Sequence, residues 1–230
     1  MTGAAPGLTL ASAADRGDVA AFVARAARVD DSGVLRLRLR EDGLVGLWVR
    51  TGFDVLATRA VFGTVEPSDV VADLGAVSAS LAANDDVVGL GFALPAAWRG
   101  ALPGSSGFTH LDDIPARELI ALARKGTQVA RDESGALGTP PSLLDQTVLT
   151  VSGDADPDER AEVTMRAVFA LTSMGFVRDA NGREISEDSP LTAIGEDEPV
   201  RVRMSPAWIR VDARYGSVYQ RRARLGLSPL

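Results

Sequence analysis

The chain contains no cysteine. Disulfides, thiolate zinc sites, iron–sulfur clusters and cysteine nucleophiles are therefore excluded. A single histidine, His110, rules out a multi-histidine metal site within one chain, and neither a metal nor a cofactor is expected. Lys125 is the one lysine, and Lys125-Gly126-Thr127 lacks the preceding glycines of a phosphate-binding loop. No apolar run approaches the ~20 residues that span a bilayer, and no basic-then-apolar leader opens the sequence. The expectation is a cytoplasmic protein with no membrane partner. Its chemistry must rest on carboxylates, hydroxyls, guanidiniums, His110 or Lys125.

What is present is ordinary for a folded chain: 230 residues, 46% hydrophobic and 24% charged. That length suits one large domain or two small ones. The net charge is −7, unevenly spread. Residues 132–198 hold 15 acids and 4 arginines, whereas residues 199–230 hold 7 arginines and one acid, Asp212. An acidic stretch beside a basic C-terminus is self-complementary, within a chain or between chains, or advertises an acidic partner. The excess of arginine over lysine reads first as the codon usage of a GC-rich genome. It does not explain where the arginines sit.

The first unit is read over residues 1–138. Val19, Phe22, Val23 and Ala26 have the spacing of an amphipathic helix over 18–29. Val34 to Arg40 alternates, with Leu35, Leu37 and Leu39 on one face and Arg36, Arg38 and Arg40 on the other, as in a half-buried strand. Glu41-Asp42-Gly43 closes a hairpin. A three-residue loop sets the leucines beside Val45, Leu47 and Val49, keeps one face apolar, and puts Gly43 at the left-handed position. Trp48 then lies across from Arg36, where an indole stacks on guanidinium. A third strand runs from Phe53 to about Val65. A helix is predicted from Ser68 or Asp69, with Val70, Val71, Leu74, Val77 and Leu81 on one face. A strand over 87–94, a loop over 101–109 and a helix over 115–131, capped by Asp112 or Asp113, complete the unit.

Gly135 to Ser142, with two glycines and two prolines, reads as the linker to a second unit over 143–230. A strand over 147–152 precedes a helix started by Asp156-Pro157-Asp158-Glu159 and burying Val163, Ala167, Ala170, Leu171 and Met174. Asn181-Gly182 marks a hairpin. Val200, Val202 and Met204 alternate with Arg201 and Arg203, and Ile209, Val211 and Ala213 follow as a strand. A basic tail carries Tyr215, Tyr219, Arg221, Arg222 and Arg224. The run Met204-Ser205-Pro206-Ala207-Trp208-Ile209-Arg210-Val211, continuing to Arg214-Tyr215-Gly216, resembles the C-terminal region of uncharacterised conserved proteins from GC-rich actinobacteria. The resemblance covers the last quarter of the chain. It implies a bacterial cytosolic protein and carries no site.

Catalytic motifs are thin. Asp154, Asp156 and Asp158 alternate, but a calcium loop started at Asp154 has Glu159 where glycine and Met165 where glutamate belong, so helix capping explains them. Ser105, Ser106, His110 and Asp112 lie close in sequence. Gly104-Ser105-Ser106-Gly107 is not a nucleophile elbow, and sequence neighbours rarely converge as a triad. Gly89 and Gly91 within a strand are too few for a dinucleotide fingerprint and suit a bulge or close packing.

The arginine faces are the least ordinary feature. Arg36, Arg38 and Arg40 with Trp48 form one; Arg201, Arg203, Arg210 and Arg214 with Trp208 and Tyr215 form the other. Such a face is solvated, paired with the acids of 132–198, or an interface. Nucleic acid is not expected at a net charge of −7. The reading is an α+β protein, antiparallel sheets with flanking helices in two small units. It is expected to be a self-associating binding or regulatory module, a homo-oligomer (dimer) or the receptor of an acidic protein. The alternative is an enzyme acting on an anionic small molecule through arginine, aspartate and His110.

Overall fold

The computed structural model describes residues 5–29, 33–133, 141–153 and 159–222. Asp154, Asp156, Asp158 and Arg224 lie outside these. The protein is α+β, with antiparallel sheets and flanking helices. It divides into two compact units, Met1–Leu102 and Pro103–Leu230. Composition put the boundary at 135–142, a stretch mostly outside the described residues. The helix before it and the strand after it both fall in the second unit.

In the first unit, β1 (Gly7–Leu10), α1 (Ala13–Val29), β2 (Val34–Leu39), β3 (Leu44–Arg50), β4 (Leu56–Glu66), β5 (Asp69–Asp73), α2 (Leu74–Ala83) and β6 (Val87–Gly89) follow in order. The sheet runs β5-β2-β3-β4, and the far end of β4 pairs with β1, which pairs in turn with β6. Helix α1 begins a turn earlier than periodicity predicts. Ser12 caps it: its hydroxyl accepts from the Asp15 amide at 3.1 Å and donates to the Asp15 carboxylate at 2.5 Å. The hairpin register is as the leucine faces require, with Arg36 opposite Trp48, Leu37 opposite Leu47 and Leu39 opposite Val45. Gly43 has φ +80°. Leu35, Leu37, Val45, Leu47 and Val61 are buried with Val19, Phe22 and Val23 of α1.

Two elements differ from the sequence reading here. Val70 and Val71 lie on β5, paired with Leu37 and Arg36, and the helix starts only at Leu74. Asp73 caps it by accepting from the Ala76 amide at 2.8 Å. The strand over 87–94 ends at Gly89, because Gly91 turns the chain at φ +69°. Gly63, where β4 changes partner, is obligatory: a Cβ there falls on the Thr9 carbonyl of β1.

The second unit contains β7 (Thr109–Pro115), α3 (Ala116–Glu133), the single turn α4 (Pro141–Leu144), β8 (Thr147–Ser152), β9 (Arg160–Thr164), α5 (Met165–Ser173), β10 (Pro199–Met204), β11 (Trp208–Ala213) and β12 (Gly216–Arg221). Its sheet order is β7-β10-β11-β12, with β8 and β9 a separate hairpin. Val163 is on β9 rather than in the helix, which begins at Met165. Asn181-Gly182 makes a tight turn closed by one bridge, Arg178 to Glu184, rather than a full hairpin. Residues 216–221, read as tail, are β12. Val200, Val202, Met204, Ile209, Val211 and Val218 form one buried face against α5. On that face Gln220 accepts from the Thr164 amide and hydroxyl at 3.0 and 2.9 Å and donates to the Glu162 carbonyl at 2.9 Å, tying β9 to β12. Each unit thus holds a strand–helix–three-strand run, β1-α1-β2-β3-β4 and β9-α5-β10-β11-β12.

Candidate functional site

Alternation sends Arg36, Arg38 and Arg40 to the face of β2 opposite the leucines. There they are paired within their own unit, not with the acids of 132–198. Arg36 makes a two-pronged contact with Asp69 on β5 at 2.8 and 2.7 Å, and this hydrogen bonding raises its pKa against the opposing effect of burial. Arg38 approaches the same carboxylate at 3.9 Å, and Arg40 is bound to Asp42 of the hairpin loop at 2.6 Å. Trp48 is on this face but buried, at 9% exposure. Its indole nitrogen lies over Gly46, where a side chain's Cβ would meet it at 3.0 Å. The Arg36 guanidinium lies 5.7 Å from the ring of Trp98, an aromatic the strand pattern does not point to.

The second unit gathers more. Cross-strand pairing sets Arg203 beside Arg210, Arg201 beside Asp212, Arg210 beside Tyr219 and Trp208 beside Arg221. Asp212 is the hub. Its carboxylate, 12% exposed, accepts from Arg203, from Arg210 at 2.6 Å, and from the Ser217 hydroxyl. Arg210 also lies 5.5 Å from the Tyr219 ring and 5.9 Å from Phe108, and both Phe108 and Trp208 meet Tyr219 edge-on. Arg221 stacks over Trp208 at 4.5 Å. At the β7 edge, His110 Nε2 is 2.9 Å from Asp113, which Arg201 approaches at 3.5 Å. Arg203, Arg210 and Asp212 lock one another, whereas Arg201, beside Asp113, and Arg221, over Trp208, remain exposed. Arg214 and Tyr215 sit apart, at the β11–β12 turn. There Arg214 reaches Glu198 at 3.8 Å and Arg178 covers the Tyr215 ring at 4.2 Å.

The hydrolytic candidates do not converge. Ser105 and Ser106 are exposed in the loop before β7, His110 is held by Asp113, and Asp112 accepts from the Asp113 amide at 2.8 Å. The reason is a bulge at β7, where Arg203 pairs with His110 and Val202 with Asp112. That extra residue returns His110 to the face of Asp113. Among the described residues no group of histidine, aspartate and glutamate could hold a metal. A cleft of about 440 Å³ is lined by Lys125 with Leu122, Val129, Leu143, Val148 and Met165, and no carboxylate is among its described lining residues. Sequence reasoning placed Asp212, Tyr219 and Arg221 in or beside a basic tail. Their signal was the continued alternation through β11 and β12.

The fold has solved counterparts. The DNA polymerase sliding clamp from Bacillus subtilis is similar at TM-score 0.55 and 12% identity, over 98% of this chain and 66% of that one. The DNA polymerase III beta-subunit sliding clamp from Bartonella birtlesii is similar at TM-score 0.53 and 15% identity, over 98% and 66%. The DNA polymerase sliding clamp from Caulobacter crescentus gives 0.53 and 12%, over 98% of this chain and 67% of that one. The chain spans about two thirds of the length of the clamps it matches. At these identities the likeness is one of fold. No curated protein matches. No described helix is long and apolar enough to cross a membrane. A family model described as domain of unknown function DUF8010 matches residues 3–100, and one described as domain of unknown function DUF8185 matches residues 103–225, so the relationship extends well beyond the C-terminal quarter. By the match over 103–225, more than half its length, the chain belongs to the DUF8185 family.

Proposed function

We propose that the protein is a non-catalytic, self-associating binding module of clamp-like fold, working in the cytosol and using the β10–β12 face of its second unit as its contact surface. The observation that carries this is the composition of that face. Arg221 stands exposed over Trp208 and Arg201 stands exposed beside Asp113, while Arg203 and Arg210 are held rigid by Asp212 next to Tyr219 and Phe108. Arginine and aromatic residues on a flat, pre-ordered surface are the composition of protein interfaces. The kind of partner this suits is a second copy, or a protein bearing carboxylates, since chain segment 132–198 is itself acidic. The first-unit arginines have a structural role in this reading, because Asp69 and Asp42 already neutralise them.

The clamps of like fold are named as DNA polymerase subunits, which raises nucleic acid as a partner. The net charge of −7 and the engagement of the second unit's arginines by Asp212, Asp113 and Glu198 favour protein instead. The alternative of an enzyme for an anionic small molecule rests on the His110–Asp113–Arg201 cluster, which is exposed rather than enclosed. Hydrogen exchange compared between dilute and concentrated protein tests the proposal. Slowed exchange confined to β11 and β12 supports it. Unchanged exchange there while another surface is protected overturns it.

A further inference from the structure

Helix α3 carries Arg117, Arg124 and Arg131 at a spacing of seven residues, which drifts by only about 20° per step around the helix. Each grips the same segment of the second unit. Arg117 donates to the Ile194 carbonyl through Nε at 3.0 Å and Nη2 at 2.7 Å. Arg124 Nη2 donates to the Ser186 carbonyl at 2.9 Å and the Ser189 carbonyl at 2.5 Å. Arg131 makes a two-pronged contact with the Glu187 carboxylate at 2.5 and 2.7 Å. The ladder therefore reads two things: main-chain carbonyls of a non-helical strap, and one carboxylate.

The strap itself is thinly attached. Ile194 is fully buried and anchors its end, and Ile185, Ser189, Leu191 and Ala193 are half-buried, but Ser186, Glu187 and Asp188 are exposed. Between residues 185 and 189 the other described backbone ties are local, the Ser186 amide to the Ser189 hydroxyl at 3.0 Å and the Ser189 amide to the Ser186 carbonyl at 3.2 Å; further along, the Ala180 amide donates to the Ala193 carbonyl at 2.8 Å. Beneath it lies a cleft of about 160 Å³, lined by Ile120, Ala123 and Thr127 of α3, Thr172 of α5, and Val177. Glu184, Ile185, Ser186 and Glu187 of the strap form the cleft's other wall. Of the three arginine contacts only Arg131–Glu187 is an exposed ion pair, which contributes little, so the stretch around Glu187 opens more cheaply than the Ile194 end.

We propose that this α3 groove is a docking site for an acidic linear peptide of a partner protein, one with an aliphatic residue two positions before a carboxylate, and that the chain's own Ile185-Ser186-Glu187 segment occupies it in the resting state. The aliphatic side chain enters the cleft between Ile120 and Val177. The carboxylate takes Arg131 and the peptide carbonyls take Arg124. The tethered segment competes at an effective concentration on the order of millimolar, so trans binding is weak until the strap is loosened. Charge complementarity names the occupant, because the groove's cations meet an acidic stretch even in cis. The inference does not rest on the β10–β12 face.

The test uses the full chain and a fluorescein-labelled peptide of the strap's own sequence, Glu184 to Pro190, followed by anisotropy. E187Q in the protein removes the cis carboxylate and should tighten trans binding by about fivefold, the factor that one exposed pair supplies. R131A on top of E187Q should return affinity to the wild-type level or below, and the peptide bearing Gln for Glu187 should bind more weakly than its parent. Saturating peptide should speed amide exchange at Ile185 to Ser189 of the wild-type chain by expelling the strap. Equal binding by wild type, E187Q and E187Q/R131A overturns the proposal. So does unchanged exchange of the strap at saturating peptide, a readout that needs no variant.

Discussion

Replacing Asp212 with asparagine removes one charge from the centre of the β10–β12 face while keeping its shape. The carboxylate accepts from Arg203, Arg210 and Ser217, and the two guanidiniums are 29% and 27% exposed. An asparagine can still accept on one oxygen, but its amide nitrogen faces a donor, so at least one contact is lost and the others weaken. Charge-assisted hydrogen bonds contribute about 1.5–3 kcal/mol each when well enclosed. Partial exposure of both arginines roughly halves that, which leaves about 2 kcal/mol for the substitution. At about 1.5 kcal/mol per molar urea, the second unit's midpoint should fall by about 1.3 M. The 19F resonance of fluorotryptophan at Trp208 follows that unit alone, without the signals of Trp48 and Trp98. A fall of less than about 0.3 M, the range of a solvated surface pair, would refute the view that Asp212 holds the face rigid.

Leu47→Ala empties a fully buried position of the first unit and should cost about 3 kcal/mol in urea unfolding followed by Trp48 fluorescence. Gly63→Ala drives a Cβ onto the Thr9 carbonyl, so exchange of the β1 amides at Leu8 and Leu10 should rise sharply while β2 and β3 stay protected. Hydrogen bonding from Arg131 holds the Glu187 carboxyl below its ordinary value of about 4.5. Its contribution is therefore present above that value and lost as the pH falls through the lower one. The amide shifts of Ser186 to Ser189 should move in that acid window and stay constant between pH 5 and 8. Duplex DNA at low salt should give no binding isotherm by anisotropy. Affinity falling steeply with salt would restore nucleic acid as the partner.

The β2–β3 hairpin was legible to the residue. Period-two alternation fixes which side chains share a face, and Gly43 fixes the loop, so only one register keeps Leu35, Leu37, Val45 and Leu47 together. β5 and β9 were not legible, because each runs into its helix without a loop. Val70 and Val71 stand at helical spacing from Leu74 and Val77, and only pairing with Leu37 and Arg36 of β2 makes them strand. Val163 misleads in the same way before Met165. Strand β12 was obscured by Arg221 at its end and by Arg222 and Arg224 after it in sequence, which suggested a tail although Val218 is fully buried. Both arginine faces were visible in the sequence. Most of their partners were not, since Asp69, Asp113 and Asp212 reach Arg36, Arg201 and Arg203 across strands; only the Arg40–Asp42 and Arg210–Asp212 pairs lie along the chain. The β7 bulge that brings His110 to Asp113 leaves no composition signal.

The central claim is that the exposed arginines of the β10–β12 face, Arg221 over Trp208 and Arg201 beside Asp113, make this chain associate. Sedimentation velocity of the wild-type chain and of R201A/R221A, across micromolar concentrations at low and high salt, addresses it most directly. Both residues are exposed and outside the Asp212 hub, so the variant keeps its fold. The account predicts concentration-dependent association of the wild type that weakens with salt and is lost in the variant. A wild type that stays monomeric throughout, or a variant that associates as well as the wild type, would contradict it.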